Sequence, residues 1–252
     1  MKIKTDYYTL MLGDTLERMK EIPDSSIDMV MADLPYGTTA CKWDSVIPFE
    51  PLWAAYRRIC KKNAAVVLTA SQPFTSVMIA SNIREFKYSW TWDKVNRISG
   101  HLNAKKQPLR ITEDVVVFYR EQPCYNPQMI KGEAYVAKSK GAKSSCYGKQ
   151  SDGIVTINNG DYYPRNLLAI SADERGTVGR IHPTQKPVAL MEYLILTYTN
   201  ENDTVLDNTM GSGTTGAAAM NLRRYFIGIE RDTDYFGAAE QRINSALQKQ
   251  LT

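Results

Sequence analysis

The segment DNTMGSGTTG, residues 207–216, joins an apolar stretch typical of a β-strand to a run of small residues typical of a helix. Gly211 and Gly213 allow the backbone to turn tightly and to approach a ligand closely. The free N–H groups at the start of the following helix favour ligand acceptors and negative charge. A second strand, RYFIGIE, follows this helix and ends at Glu230. The segment therefore predicts a βαβ unit with a ligand site in its first turn.

The same unit indicates the kind of ligand. A carboxylate at the end of the second strand, here Glu230, binds the two hydroxyls of a ribose in such units, so we expect an adenosine-containing cofactor. Gly211, Gly213 and Gly216 also satisfy the G-x-G-x-x-G pattern of nicotinamide dehydrogenases. Those enzymes normally begin their nucleotide domain at this motif, whereas here we expect the other half of the sheet before it, in residues 24–120. The order therefore disfavours a NAD-dependent oxidoreductase.

The rest of the chain alternates strands and helices, which predicts an α/β fold with a mostly parallel, doubly wound sheet. We expect helices over residues 16–22, 50–62, 72–83, 187–200 and 232–248, the last with Asp232 as N-cap. We expect strands over residues 26–33, 64–70, 88–94, 114–120 and 203–210. Residues 121–180 differ, because they are rich in Gly, Ser, Asn, Lys and Tyr and show little periodicity. We interpret them as an inserted region between two halves, residues 1–120 and 181–252.

A second candidate site follows the predicted strand SIDMVMAD, residues 26–33. This strand ends in Asp33, which is followed by Leu34, Pro35 and Tyr36. A Pro-Tyr-Gly sequence is also a common way to turn a chain, with the aspartate as a cap. Ligands of a doubly wound sheet bind at the carboxyl ends of its strands. Because Asp33 and Met210 both end predicted strands, we expect them to face one crevice.

Composition narrows the class of protein. The 252 residues are 43% hydrophobic and 23% charged, as in ordinary soluble domains, and no apolar run is long enough for a membrane span or a signal peptide. The four cysteines are scattered and there are two histidines, so we expect reduced thiols and no metal site. We therefore expect a cytoplasmic protein with no membrane partner.

The positive charge is clustered. The net charge is +4, yet residues 94–110 hold five basic and no acidic residues, and residues 131–149 hold five lysines and one glutamate. Such runs are either solvated loops or surfaces that contact nucleic-acid phosphates.

The motifs together resemble a known family, the amino-methyltransferases of DNA. DLPYG is similar to its Asp-Pro-Pro-Tyr catalytic motif, DNTMGSGTTG to its cofactor loop, and HPTQKP, residues 182–187, to a segment that precedes that loop in one subgroup. The catalytic motif comes first and the cofactor loop last, which is the permuted order of the beta subgroup. The resemblance covers residues 8–120 and 181–247. Leu34 departs from the family pattern, which usually has proline there.

The resemblance implies a Rossmann-like fold that uses S-adenosyl-L-methionine, with an inserted target-recognition region. It implies that the Asp33 carboxylate and the Leu34 carbonyl hold the target amino group, that Pro35 completes the motif, and that Tyr36 stacks on the base. Asp14 is expected at the adenine ring, with helix capping as its alternative role. The residues implied for the cofactor are Asp14, Thr184, Lys186, Asp207, Met210, Gly211, Ser212, Gly213, Thr214 and Glu230.

The resemblance also implies double-stranded DNA as substrate, with the target base flipped out of the helix. It implies a prokaryotic or phage-infected host cell. Family members specific for cytosine N4 usually have serine at the position of Asp33, so the aspartate favours adenine N6. Cytosine-N4 methylation stays open as the alternative, as do a homodimer and a cognate restriction enzyme. The motif order disfavours RNA or protein methylation, and the intact Asp33, Tyr36 and cofactor glycines disfavour a non-catalytic DNA-binding role. The expected DNA contacts are Arg97, Lys105, Lys106, Lys131, Lys138, Lys140, Lys143 and Lys149.

Overall fold

The computed structural model describes residues 1–37, 45–140, 143–144, 146, 148–149, 152–172 and 185–252, and excludes the side chains of residues 140, 143, 144, 148, 149 and 152. The strands are β1 (Lys2–Lys4), β2 (Tyr8–Leu12), β3 (Ile27–Asp33), β4 (Cys60–Ala70), β5 (Phe86–Asp93), β6 (Thr112–Phe118), β7 (Ile130–Lys131), β8 (Tyr135–Lys140), β9 (Lys143–Ser144), β10 (Gly148–Lys149), β11 (Asp152–Asn158), β12 (Asp161–Tyr162), β13 (Leu167–Ala169), β14 (Thr204–Asp207) and β15 (Tyr225–Glu230). The helices are α1 (Thr15–Met19), α2 (Phe49–Ile59), α3 (Phe74–Ser81), α4 (Val188–Tyr198), α5 (Thr214–Asn221) and α6 (Thr233–Leu251), with a 3₁₀ turn at His101–Asn103. None of these helices is long and apolar enough to cross a membrane.

The larger of two compact units contains residues 1–126 and 166–252. Its sheet has the strand order β1-β2-β15-β14-β3-β4-β6-β5-β13. Strands β2, β15, β14, β3 and β4 are parallel to one another, while β1 and β6 run in the opposite direction. This mostly parallel arrangement confirms the predicted α/β class.

The central strands are buried on both faces. Met29 and Met31 of β3 pack with α4, α5 and α6, whereas Val30 and Ala32 pack on the other face with α1, α2 and α3. A strand covered on both sides needs apolar residues at consecutive positions, which explains why IDMVMAD reads as an almost continuous apolar run.

The order of the strands in the sheet determines where the site lies. From β3 the chain winds through α2 to β4 on one side, whereas β14, the neighbour of β3 on the other side, leads through α5 to β15. Such a reversal leaves a crevice at the carboxyl ends of the two central strands. Asp33 ends β3 and Asp207 ends β14, and β6 begins at the same edge because it is antiparallel.

Most predicted elements are present, with three corrections at their ends. The helix predicted over residues 50–62 stops at Ile59, because Cys60 adopts an extended conformation and starts β4. The helix predicted over residues 16–22 ends at Met19. Strand β14 ends at Asp207, so Met210 lies in the turn and not at the strand end. The N-cap role of Asp232 is confirmed, since its carboxylate accepts from the N–H groups of Asp234 and Tyr235.

The smaller unit spans residues 127–165, which is narrower than the predicted insert of residues 121–180. Asn126 belongs to the larger unit because its backbone N–H donates to the Thr197 carbonyl and its side-chain amide to the Thr199 carbonyl. At the C-terminal end of the predicted insert, β13 belongs to the larger unit, because it pairs in parallel with β5. Residues 173–180 lie outside the described residues. Within this unit, β8 pairs with β11, β9 with β10 and β7 with β12, where the sequence shows no clear periodicity.

Candidate active site

Asp33 is surrounded by donors at the end of β3. Its Oδ1 accepts hydrogen bonds from the Tyr36 hydroxyl at 2.7 Å and from the hydroxyl of Thr69, the residue beside it on β4. Its Oδ2 accepts from the Lys186 ammonium at 2.6 Å. A carboxylate offers about four acceptor positions, two on each oxygen. Oδ1 is therefore filled, and one position is left on Oδ2.

Lys186 belongs to a row of alternating charges. Its ammonium lies 2.6 Å from Asp33 Oδ2 and 3.5 Å from Glu113 Oε2, and the other oxygen of Glu113 accepts from the Lys94 ammonium at 2.9 Å. Both lysine side chains are buried, that of Lys186 with 9% of its surface exposed. Burial alone would lower the pKa of Lys186, but the Asp33 carboxylate, Tyr36 and Glu113 outweigh it and raise the pKa well above its usual value. Lys186 is therefore a charged partner of Asp33.

The other residues of the catalytic motif are held by packing. The Tyr36 ring stacks on Phe74, with 5.0 Å between ring centroids and 25° between planes. Burial, followed by the nearby Asp33 charge, raises the pKa of the Tyr36 hydroxyl well above its usual value, so it stays a donor. The Leu34 side chain is buried in the core, which anchors the backbone where the related family has proline. Pro35 lines the adjoining cavity with Leu34 and Tyr36.

The glycine loop follows β14. Gly211 and Gly213 both have positive φ, 50° and 78°, which other residues rarely adopt. A Cβ on Gly213 would lie 2.9 Å from Ala239 of α6, whereas a Cβ on Gly211 would meet nothing within 4 Å. Gly213 is thus needed for packing, and Gly211 leaves open space beside the cavity. Nearby, Met210 is buried and the Ser212 hydroxyl donates to Gln185.

The Glu230 carboxylate accepts a hydrogen bond from the backbone of this loop. Its Oε2 accepts from the Gly211 N–H at 2.9 Å, and its Oε1 accepts from the N–H groups of Arg231 and Asp232. Burial raises the pKa of Glu230 despite these bonds. The carboxylate therefore fixes the glycine loop to the end of β15, and it lines the cavity where ribose hydroxyls are expected.

Asp14 caps helix α1, because its Oδ1 accepts from the N–H groups of Leu16 and Glu17. This is the role that the sequence left as the alternative to an adenine contact. The residue also lines the cavity, and both bonds use one oxygen, so the adenine contact stays a prediction. Thr214 begins α5 and accepts from Arg242. Thr184 lies outside the described residues.

One cavity connects these groups. It has a volume of about 580 Å³ and is lined by both predicted motifs and by Asp14, Trp92, Lys94, Arg97, Glu113, Lys186 and Glu230. This size is typical of sites for ligands of cofactor size. The residues that the structure describes contain no group of His, Cys, Asp or Glu that could hold a metal ion.

The buried carboxyl group of Asp207 predicts that the stability of the fold depends on pH. It is buried at the end of β14, accepts from the Thr209 N–H and the Thr215 hydroxyl, and has its pKa raised by burial to about 7. The native state thus binds this proton more tightly than the unfolded chain, whose aspartates titrate near 3.9. The Asp207 contribution to stability is therefore lost as pH rises from about 4 to about 7.

We expect Asp207→Asn to abolish this loss, since the amide keeps an acceptor for Thr209 and stays neutral. At pH 8 the variant should be more stable by about 4 kcal/mol, and near pH 4 it should match the wild type. Urea unfolding at several pH values would measure both. A difference between variant and wild type that stays constant with pH would contradict the assignment.

The predicted DNA contacts fall in both units. Arg97 is half-buried at the cavity, and Lys105 and Lys106 are exposed in the loop between β5 and β6. In the smaller unit Lys138 is exposed on β8, and Lys131 is exposed but paired with Asp161 at 2.5 Å, which offsets its charge. The side chains of Lys140, Lys143 and Lys149 lie outside the described part of the chain.

Three residues that the structure brings to the site lie outside the sequence motifs. Thr69 reaches Asp33 from β4, Glu113 comes from the start of β6, and Lys94 follows β5. The only sequence signal was indirect: each lies at the carboxyl edge of the sheet, but their pairing depends on a strand order that the sequence does not state.

The family model of the N6/N4 DNA methylases matches residues 27–241, which include both motifs. The chain belongs to this DNA methylase family. The family membership confirms the resemblance inferred from the sequence motifs.

Among relatives of this DNA methylase, DNA adenine methyltransferase YhdJ of Escherichia coli (strain K12) is 28% identical over 256 residues, covering 94% of this chain and 83% of that protein. Type II methyltransferase M.HinfI of Haemophilus influenzae is 27% identical, covering 93% of this chain and 68% of that protein. Both alignments span nearly the whole DNA methylase chain.

Two solved structures share its fold. M1.HpyAVI, solved in complex with SAM, has a TM-score of 0.66 and 28% identity, covering 94% of this chain and 99% of that chain. The PvuII DNA methyltransferase, described as cytosine-N4-specific, has a TM-score of 0.70, 18% identity, and coverage of 98% and 94%. At that identity the second likeness concerns the fold alone. The predicted methyltransferase fold is thereby confirmed for this DNA methylase.

Proposed function

We propose that this DNA methylase is a site-specific adenine methyltransferase, which transfers the methyl group of S-adenosyl-L-methionine to the N6 amine of a flipped-out adenine. The observation that carries the proposal is the cavity at the strand ends, where Asp33 and the glycine loop face a common space. The names of the relatives support it, since two of them are an adenine methyltransferase and a type II methyltransferase.

The residues present fit this cofactor. The open space beside Gly211 allows a ligand to approach the backbone, and the Glu230 carboxylate can accept from ribose hydroxyls while it holds the loop. Gly211, Ser212 and Gly213 would line the methionine part, with Met210, Thr214 and Asp207 behind them. When bound, S-adenosyl-L-methionine supplies an electrophilic methyl group on a sulfonium centre.

Asp33 and Leu34 prepare the acceptor amine. The lone pair of an exocyclic amine is delocalised into the base, which makes it a poor nucleophile. Hydrogen bonds from its two N–H groups to Asp33 Oδ2 and the Leu34 carbonyl favour a pyramidal nitrogen whose lone pair points at the methyl group. Both acceptors also stabilise the positive charge that develops on nitrogen. Tyr36 offers a ring for stacking of the extruded base.

The proposed acceptor is adenine because position 33 holds aspartate. The family model covers N6 and N4 enzymes alike, so the acceptor base needs a direct test. The protein is incubated with unmethylated double-stranded DNA and methyl-labelled S-adenosyl-L-methionine, and the DNA is digested to nucleosides. Label in N6-methyladenine supports the proposal. Label in N4-methylcytosine would contradict adenine as the acceptor base. Unlabelled DNA would contradict the proposed methylation of DNA.

Lys105 and Lys106 are proposed as phosphate contacts, because their loop leaves the sheet at the edge that carries the cavity. We expect the double variant Lys105→Ala, Lys106→Ala to weaken DNA binding for all sequences. The slope of log affinity against log salt concentration should fall in magnitude by about 2, one for each contact. Fluorescence anisotropy at several salt concentrations would measure it.

The matched control replaces two exposed lysines at the opposite edge of the sheet, Lys62 at the start of β4 and Lys249 at the end of α6. This control changes the net charge by the same amount. An equal change of slope in both double variants would show that only net charge matters and would contradict the contact.

The smaller unit, residues 127–165, is proposed as the target-recognition region, with Lys138 at the DNA backbone. Removing it is expected to abolish site selection.

A homodimer is proposed as the active form, which sedimentation at several protein concentrations would test. A cognate restriction enzyme is also proposed, which would cleave the same DNA site when that site is unmethylated.

A further inference from the structure

Asp33 shares its one partly open oxygen with a lysine. Oδ1 is filled by the hydroxyls of Tyr36 and Thr69, so the target amine must bind Oδ2, which already accepts from Lys186 at 2.6 Å. The proposed reaction develops positive charge on the amine nitrogen. A lysine ammonium in contact with the same oxygen neutralises the charge that would stabilise it. The site therefore needs a second place for the ammonium.

Glu113 offers that place. Its Oε2 is buried and makes no hydrogen bond to any described residue, yet it lies 3.5 Å from the Lys186 ammonium. A buried carboxylate oxygen without a donor is costly, so a bond from Lys186 would be favourable. A movement of the ammonium by less than about 1 Å would bring it within the usual distance of such a bond.

Lys94 keeps Glu113 in position. Its ammonium donates to Glu113 Oε1 at 2.9 Å and to the Ser99 hydroxyl at 3.3 Å. Lys94 directly follows β5, and Glu113 belongs to β6, the antiparallel neighbour of β5. With Oε1 fixed in this way, Oε2 is directed at Lys186. Two carboxylates and two lysines balance in charge, so the ammonium can move between acceptors without changing the net charge of the site.

We propose that Glu113 is a positioning residue that takes over the Lys186 ammonium when the target amine binds Asp33 Oδ2. The transfer leaves Asp33 as a charged acceptor for the amine and gives Glu113 its missing hydrogen bond. The inference rests on the proposed function, and it assigns Lys186 to the acceptor side of the site.

The test is Glu113→Gln, which keeps the shape of the side chain and removes its charge. With no anion to move to, Lys186 stays on Asp33. We expect the single-turnover rate of methylation, at saturating cofactor and DNA, to fall by about 30-fold. The dissociation constants of S-adenosyl-L-methionine and of DNA that lacks the target base should stay within about twofold, because the change affects the bound target amine alone. Glu113→Asp, which keeps the charge, should restore part of the rate.

The matched control is Glu85→Gln. Glu85 has 18% of its side-chain surface exposed, against 19% for Glu113, and pairs with Arg57 away from the cavity. It should keep the wild-type rate. In a Lys186→Met background, Glu113→Gln should change the rate by less than about threefold, since Glu113 acts through the lysine.

Each other outcome overturns the inference. A wild-type rate for Glu113→Gln, independent effects of the two substitutions, or an equal loss in Glu85→Gln would each show that Glu113 does not control Lys186. Wild-type protein that fails to methylate DNA would instead overturn the proposed function, which separates the two failures.

Discussion

Asp33→Asn is expected to lower the rate of methyl transfer by at least about 10³-fold. The amide has the size of the carboxylate but no charge, and it has one acceptor oxygen in place of two. Whichever way it turns, its NH₂ group meets a donor, either the hydroxyls of Tyr36 and Thr69 or the Lys186 ammonium. The remaining oxygen cannot serve the neighbouring donors and the target amine together. Single-turnover incorporation of labelled methyl groups into DNA would measure the loss.

The matched control for Asp33→Asn is Asp28→Asn, on the same strand. Asp28 is also an aspartate of β3 in an ion pair with a lysine, since its Oδ1 lies 2.7 Å from the Lys61 ammonium. It also accepts from the Thr204 N–H, at the opposite edge of the sheet. Asp28→Asn should cost some stability and keep the rate of the folded protein within about twofold. A similar rate loss in both variants would show that Asp33 acts on the fold and not on the amine.

Gly213→Ala is expected to destabilise the fold by about 2–5 kcal/mol. Left-handed backbone costs an L-residue about 1–2 kcal/mol, and overpacking costs about 1–3 kcal/mol more. Both apply here, because φ is 78° and the added methyl would lie 2.9 Å from Ala239, on the helix that packs against α5. Urea unfolding monitored by far-UV circular dichroism would give the difference in the free energy of unfolding.

Gly211→Ala is the companion variant, two residues away in the same loop. Its φ of 50° is also left-handed, but the added methyl would meet no atom of the described chain within 4 Å. We expect a smaller loss of stability, about 1–2 kcal/mol, together with at least about tenfold weaker binding of S-adenosyl-L-methionine. Calorimetric titration would measure the affinity. Cofactor binding at wild-type strength would argue against a ligand at Gly211.

Some of the fold and the site follows from local sequence alone. The βαβ unit around residues 207–216, the strand that stops at Asp33 and the N-cap at Asp232 all depend on patterns within about ten residues. Apolar runs mark buried strands, and glycines mark turns with positive φ, because these requirements belong to each segment itself. The ends of elements are less well determined, as α2 and β4 show, since Cys60 fits either a helix end or a strand start.

The tertiary structure decided which groups meet. Asp33, Thr69, Glu113 and Lys186 are up to 153 residues apart, and they converge because β3, β4 and β6 are adjacent and β6 runs antiparallel. Nothing in the sequence near Glu113 marks it, since a charged residue at a strand end is usually solvated. Lys94 is marked only as one of the five basic residues of 94–110, which does not predict its pairing with Glu113. The sequence thus determined the two motifs and the family. Packing of distant strands determined the charges around Asp33, because ion pairing depends on distances that only the assembled sheet sets.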